Sequence, residues 1–242
     1  MNTRMAAWAV VVAVLTAAVL CPASARSQVS AGEQIASLDM GGTVPFAKIT
    51  VPQASGVPAT FSVANPGFLG GVQYIYQVTP KIGVGAGMYF SKYGNRDEHL
   101  PDTGTGPWDI NSFSSKITGE VLGRYVFLPE SKYYPYFIGG LGFNQVFYKT
   151  NLAGWDNWPA PPRTELTAID SSFTSWAFSA GAGVETQIAS SLIAGLEARW
   201  RYMGNHSFPT DWTSGRVQDT PYGPASEVTL AIRVGLKFKA GS

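Results

Sequence analysis

The sequence predicts an all-β chain, an eight-stranded antiparallel up-and-down β-barrel that crosses a membrane. Three observations carry the prediction. Apolar and polar residues alternate with period two along most of the chain, the signature of strands with two chemically different faces. The connections between those strands are alternately short and long, and an export leader opens the chain.

The leader is read from Arg4, the apolar stretch Met5 to Leu20 and the small residues Ala23-Ser24-Ala25. This order defines a secretory signal peptide, so residues 1–25 form the leader, cleaved after Ala25, and residues 26–242 form the barrel domain. The apolar stretch is shorter than the roughly 20 residues a spanning helix needs. An alternative, lipidation of Cys21, would want a small residue where Leu20 stands. Cys21 is the only cysteine, so cleavage after Ala25 leaves no disulfide and no thiolate metal ligand.

The strands follow in order. The first lies around Leu38 to Phe46, interrupted by Gly41-Gly42 and Pro45. The second places Phe68, Val72, Tyr74, Tyr76 and Val78 on one face, and Thr79-Pro80-Lys81 turns the chain. The third sets Ile82, Val84, Ala86, Met88 and Phe90 against Gly83, Gly85, Gly87 and Tyr89. In the fourth, Ile117, Val121, Tyr125 and Phe127 oppose Lys116, Thr118, Glu120 and Arg124. A fifth, Tyr136 to Tyr148, is apolar in both registers, which leaves its facing open. The sixth opposes Trp176, Phe178, Ala180, Ala182 and Val184 to Ser175, Ser179 and Glu185, and Ala189-Ser190-Ser191 makes a tight turn. The seventh, Leu192 to Met203, sets Leu196, Ala198, Trp200 and Tyr202 against Glu197, Arg199 and Arg201. The eighth sets Val228, Leu230, Ile232, Val234, Leu236 and Phe238 against Thr229, Ala231, Arg233, Gly235 and Lys237. Long connections fall at residues 51–66, 94–111, 149–171 and 204–226, so both termini are expected in the periplasm and four long loops outside the cell.

Alternation alone does not say which face points outward, and a secreted soluble barrel would reverse the assignment. Two arguments favour the membrane. The polar face is mostly glycine, serine and alanine with a few charges of both signs, which suits a lumen eight strands wide better than a water-facing surface. Aromatics such as Tyr76, Phe90, Tyr125, Trp176, Trp200 and Phe238 gather towards strand ends, where interfacial girdles sit. The formal net charge of +1 excludes a basic nucleic-acid surface.

The stretch YYPYFIGGLGF, Tyr133 to Phe143, resembles the YPYxGxGxG segment of the opacity-type outer-membrane β-barrel family, related to the N-terminal barrel of outer-membrane protein A. GLEARWRYMG, Gly195 to Gly204, is similar to that family's acidic-plus-arginine penultimate strand. Phe238 resembles its terminal aromatic assembly signal, although Lys239-Ala240-Gly241-Ser242 trail beyond it. The resemblance spans most of the chain after the leader and implies a fold rather than an activity. It also implies the outer membrane, without the peptidoglycan-binding domain that tethers larger relatives to the cell wall.

The candidate sites follow from the inward face and the loops. Lys116, Glu120, Arg124, Glu185, Glu197, Arg199, Arg201 and Arg233 form a candidate lumen charge network, with Glu120 expected to pair with Arg124 or Lys116, and Glu197 with Arg199, Arg201 or Arg233. It reads as a rigid plug or as the wall of a narrow gated pore. Trp108, Trp155, Trp158 and Trp212, beside the stiff Pro159-Ala160-Pro161-Pro162, are candidate contacts for sugars or proteins, or else pack on one another or in the headgroup layer. His206 precedes Ser207, and neighbouring strand residues face opposite sides, so no nucleophile–base pair is expected there. Asp97-Glu98-His99 are consecutive and poorly placed to converge on a metal. The spacing of Gly83, Gly85 and Gly87, with no following helix, is not a dinucleotide fingerprint.

These readings predict no catalytic residue, no cofactor and no metal. They predict a monomeric outer-membrane protein with a structural or surface-interaction role in adhesion or envelope integrity. Its expected partners are membrane lipid, lipopolysaccharide and a surface protein or carbohydrate, not nucleic acid. The alternatives are a narrow porin-like channel and a lipid A-modifying enzyme using His206.

Overall fold

The computed structural model describes residues 29–46, 48–51, 59–62, 65–100, 108–155, 163–204, 206–213, 216–222 and 225–239. Residues 1–25, on which the expected leader with Cys21 and Ala25 falls, and Trp158 with the proline segment after it, lie outside the described residues. The chain forms strands β1 (Glu33–Pro45), β2 (Lys48–Val51), β3 (Ala59–Ser62), β4 (Asn65–Gln77), β5 (Ile82–Gly94), β6 (Arg96–Leu100) and β7 (Trp108–Val126). These are followed by β8 (Tyr133–Trp155), β9 (Arg163–Gln187), β10 (Leu192–Met203), β11 (His206–Thr213), β12 (Arg216–Tyr222) and β13 (Ala225–Lys239).

Eight of these strands, β1, β4, β5, β7, β8, β9, β10 and β13, pair antiparallel with their chain neighbours, and β1 closes on β13 from Glu33↔Lys239 to Pro45↔Glu227. The result is a closed up-and-down barrel with no sheet edge inside the wall. Short turns at 78–81, 127–132 and 188–191 join strands at the end where the chain enters. In the first of them Thr79 Oγ1 accepts from the backbone N–H groups of Lys81 and Ile82, at 3.2 and 2.9 Å, which holds the hairpin tight.

Two expectations are corrected. The first strand starts at Glu33 rather than Leu38, and Gly41-Gly42 does not interrupt it. A Cβ on Gly41 would lie 1.9 Å from the carbonyl oxygen of Leu230, so glycine there lets β1 and β13 approach closely enough to curve the wall. Pro45, which cannot donate to a ladder, is the last residue of the strand. The connection 149–171 is not a loop but a paired ribbon: β8 and β9 run for 23 and 25 residues, and their register continues to Trp155↔Arg163 past an irregularity at Thr150/Asn151. β6 likewise carries the line of β5 onward beside β7, and β11-β12-β2-β3 form a second, smaller sheet.

The faces are settled by burial. Leu230 and Leu236 are 62% and 56% exposed on the outer wall, whereas Arg199 and Glu197 are 1% and 4% exposed inside. Apolar side chains therefore face outward and polar ones inward, the arrangement lipid demands. In β8 the open question resolves with Tyr134, Tyr136 and Ile138 inward and Phe137, Leu141 and Phe143 outward.

A charge on the outer wall should act as it does in hydrocarbon. Leu230→Arg is expected to lower the unfolding free energy by about 2–4 kcal/mol near the bilayer midplane, read by urea titration of the barrel folded in vesicles. A loss under ~0.5 kcal/mol, the usual size for a surface substitution in water, would contradict the assignment of faces.

Candidate functional site: a neutral lumen above an apolar seal

Alternation delivers the lumen side chains in rows. On β10, Glu197, Arg199 and Arg201 lie two residues apart on one face, and β7 contributes Lys116, Glu120 and Arg124 in the same way. An isolated ion here would lose its hydration with nothing in return, so the rows hold only if each charge meets its complement.

They do so chiefly between strands, with Glu197 and Arg199 the pair within a single strand. Arg233 is the hub: it reaches Asp39 at 2.7 Å, Glu185 at 3.0 Å and Glu197 at 2.6 Å. Glu185 also holds Arg124 at 2.5 Å, and Glu197 holds Arg199 at 2.6 Å. Arg199 spans to Glu120 at 3.0 Å, and Arg201 stands 3.4 Å from both Glu120 and Glu227. Lys116 completes the chain on Glu227 at 2.7 Å. The expected partners of Glu120 on its own strand are not the ones it finds, because residues four apart along a strand are separated by about 13 Å.

Arginine suits these positions because its planar fork can hold two carboxylates at once, which lysine's single ammonium does less well. Tyrosines fill the remaining contacts. The Tyr136 hydroxyl donates to Glu197 at 3.0 Å and accepts from Arg233 at 2.7 Å, while Tyr89 accepts from Arg199 at 2.8 Å. Tyr93 donates to Glu227 at 2.5 Å. The guanidinium groups of Arg124 and Arg201 lie 4.0 and 4.2 Å above the rings of Tyr136 and Tyr89, where the ring faces are negative.

Two members, Asp39 and Glu227, were missed by the sequence reading. The signal was arithmetic: the eight residues singled out carry five cations and three carboxylates, an imbalance of two charges in a space without bulk water. Asp39 and Glu227 make it five against five. Both lie at positions the alternation blurred, one on the first strand, whose paired glycines read as a break in the sequence, and the other at the boundary of an expected loop.

Below the charges the lumen is lined mainly by apolar side chains, with Gln77 buried among them. Val29, Ile35, Ile75, Leu122, Val126, Tyr134, Tyr136, Ile138 and Ile193 form one buried apolar cluster at the end closed by the short turns. Val29 precedes the first strand and folds into the mouth, its N–H donating to the carbonyl of Pro129 at 2.9 Å. Gly32, at φ +78°, makes the turn that brings the chain from there into β1.

The other candidates lie above the closed wall. Trp108 opens β7 with Gly154 opposite it, Trp155 ends β8, and Trp212 is on β11. The tips of β7 and β8 thus bring Trp108 and Trp155 within one register step. His99 is on β6 opposite Asp109, and on β11 His206 is opposite Tyr222 and Ser207 opposite Pro221.

Comparison with known proteins places this geometry. The model of the outer membrane protein beta-barrel domain matches residues 11–238. The chain belongs to that family. Among solved structures, the outer membrane protein OprG of Pseudomonas aeruginosa shares 14% identity at a TM-score of 0.52, covering 89% of this chain and all of that one. Neisserial surface protein A shares 12% identity at a TM-score of 0.43, with 86% and 98% covered. The attachment invasion locus protein Ail of Yersinia pestis shares 14% at 0.37, with 86% and 99% covered. No curated protein sequence matches the chain. This outer-membrane barrel therefore has its fold and location from its family, while its role has to be argued from its own residues.

Removing the hub of the network should show its energetic weight. Arg233→Ala leaves Asp39 buried without its cation and takes one of two cations from Glu185 and Glu197, and is expected to cost about 3–5 kcal/mol of stability, whereas Lys116→Met with Glu227→Gln, which removes both members of a pair, should cost much less. Urea titration of the refolded barrels measures both. Equal losses would show that the pairs are not acting as pairs.

Proposed function

We propose that the protein is a non-conducting, non-enzymatic barrel that anchors surface-exposed β-ribbons for contact with other surfaces, serving adhesion or envelope integrity. The observation that carries this is the filled lumen. Ten opposite charges neutralise one another inside the wall, and an apolar seal lies beneath them. The same compensation leaves none of the network's carboxylates or cations committed to chemistry on a substrate. With the lumen committed to structure, the parts that differ from a minimal barrel are the ribbons, where β8 and β9 go on pairing well past the roughly 9–11 residues a spanning strand needs. Their tips carry Trp108 and Trp155, side chains that bring large contact area at small entropic cost.

One observation favours the channel reading in part. The hydroxyls of Ser91, Ser175 and Ser179 and the amide nitrogen of Asn144 find no protein partner, so the lumen above the seal has polar groups for water to satisfy. Conduction would still require passage through Val29, Ile35 and Ile193.

Two experiments test the proposal. Planar bilayers holding the refolded protein should show no discrete conductance steps; regular steps would replace this reading with the channel. Shortening the β8–β9 ribbon by replacing residues 150–168 with a tight turn should leave heat-modifiable gel migration intact and abolish attachment of expressing cells to the surface they otherwise bind. Unchanged attachment would remove the ribbons from the role.

A further inference from the structure

One member of the apolar cluster at the turn-closed end does not stand on the wall. The others are carried by β1, β4, β7, β8 and β10, whereas Val29 precedes β1. Residues 29–32 cross the mouth as a strap. At one end the Gly32 N–H donates to the carbonyl of Gln77, the last residue of β4, at 2.8 Å. At the other the Val29 N–H reaches the carbonyl of Pro129, in the β7–β8 turn, at 2.9 Å. Between them the Ser30 N–H donates to Glu33 Oε2 at 3.0 Å, and Glu33 is held by Lys237 at 3.3 Å. Val29 is buried and Ala31 exposed, so the strap turns its valine into the lumen and its alanine away from it.

Gln77 sits badly in this closed state. Because it ends its strand, its lumen-facing side chain stands in the mouth itself, yet it is fully buried, and neither Oε1 nor Nε2 of its amide has a protein partner. The strap is the described segment that passes below it. Closing the strap therefore has two opposed effects. It removes Val29 from water, which favours closure, and it shuts in an amide that water would otherwise hydrate, which opposes it. The effects are of similar size for one side chain of each kind. The rest of the seal is indifferent, since each of its side chains stays on its strand whether the strap is on or off. Opening costs one valine contact and a few backbone bonds that water can replace, which belongs to the low-energy end of local opening.

We propose that residues 29–32 are a lid over the lumen mouth, held near balance by the buried Gln77 amide, which opens and closes without disturbing the barrel. Gly32, at φ +78°, is its hinge. Opening hydrates the seal from this end and leaves the charges above it paired. The lid is therefore compatible with a lumen that does not conduct and stands independently of that reading.

The test uses the full chain with Cys21→Ser and Val126→Cys, expressed to the membrane and purified in detergent micelles, so that the single thiol lies in the seal. Its modification by a small charged thiol reagent, followed by intact mass, reads how often the mouth opens. Modification should be slow but complete. Val29→Ser should speed it, and Gln77→Met, which keeps the side-chain shape and removes the amide, should slow it, each by about fivefold or more, the factor set by one unmet buried polar group. With Ser91→Cys in place of Val126→Cys, the thiol lies opposite Lys116 among the upper charges, and both variants should leave its rate unchanged. Heat-modifiable migration checks that each variant folds; Val29 is outside the wall, so its variant decides if Gln77→Met does not. Modification of the Val126→Cys parent as fast as that of an exposed cysteine, or none at all, would overturn the proposal. So would a Gln77→Met rate equal to or above the parent's, or a Val29→Ser rate unchanged in the seal or raised equally at both thiols.

Discussion

A strand in hydrocarbon has no water to bond with, so each backbone N–H and C=O must find a neighbouring strand. The sheet can satisfy this only by closing, and β1 meets β13 over thirteen register pairs to do so. Closure then fixes everything else. One face of each strand is given to lipid and the other to a lumen eight strands wide, which side chains alone can fill. The spacing of two residues that separates Glu197, Arg199 and Arg201 is the same spacing that keeps Ala198 and Trp200 in the membrane.

Buried ion pairs are often no more stabilising than well-packed apolar residues of similar volume, so stability alone does not explain ten charges in the lumen. Register does. A slip of one residue exchanges the faces and is penalised by lipid. A slip of two keeps every face correct, and alternation is blind to it. The charges are not: moving β13 by two residues relative to β1 takes Arg233 away from Asp39, with which it is directly paired, and withdraws it from Glu185 and Glu197 as well. Pairs such as Arg199 with Glu120 join β10 to β7, strands that do not touch in the sheet, so the constraint acts on the whole cross-section.

Much of this was legible beforehand because a two-faced strand writes its environment into every second residue. Strand number, the three short turns, the inward charges and the apolar outer wall follow from that. What alternation could not show has physical reasons. In β8, Tyr134, Tyr136 and Ile138 are inward because the lower lumen is lined mainly by apolar and aromatic side chains, so both faces of that strand look alike. Asp39 was hidden by Gly41-Gly42, which reads as a break until the approach of Leu230 shows why no side chain fits there. Partners on non-adjacent strands depend on barrel closure, which has no local sequence signal. Val29 seals the mouth from a stretch with no periodicity at all, and the two missing carboxylates were recoverable only by requiring neutrality.

The outer limit of the membrane can be placed by the same constraint that closes the barrel. Pairing of β1 with β13 stops at Pro45↔Glu227, and on the other side β5 gives way to β6 at Asn95. Beyond these points the wall divides into the sheet continued by β6, β7, β8 and β9 and the separate sheet β11-β12-β2-β3. Division creates edge strands at β6, β9, β11 and β3, and an edge presents backbone groups that water can satisfy and hydrocarbon cannot. A sheet that opens must therefore have left the hydrocarbon. The strands that stop near this level, β1, β4, β5 and β10, have 12 or 13 residues, close to the about 9–11 a tilted crossing requires. The surplus in β8 and β9 lies beyond the hydrocarbon, and because it stays hydrogen-bonded it presents its residues on a frame continuous with the wall rather than on free loops.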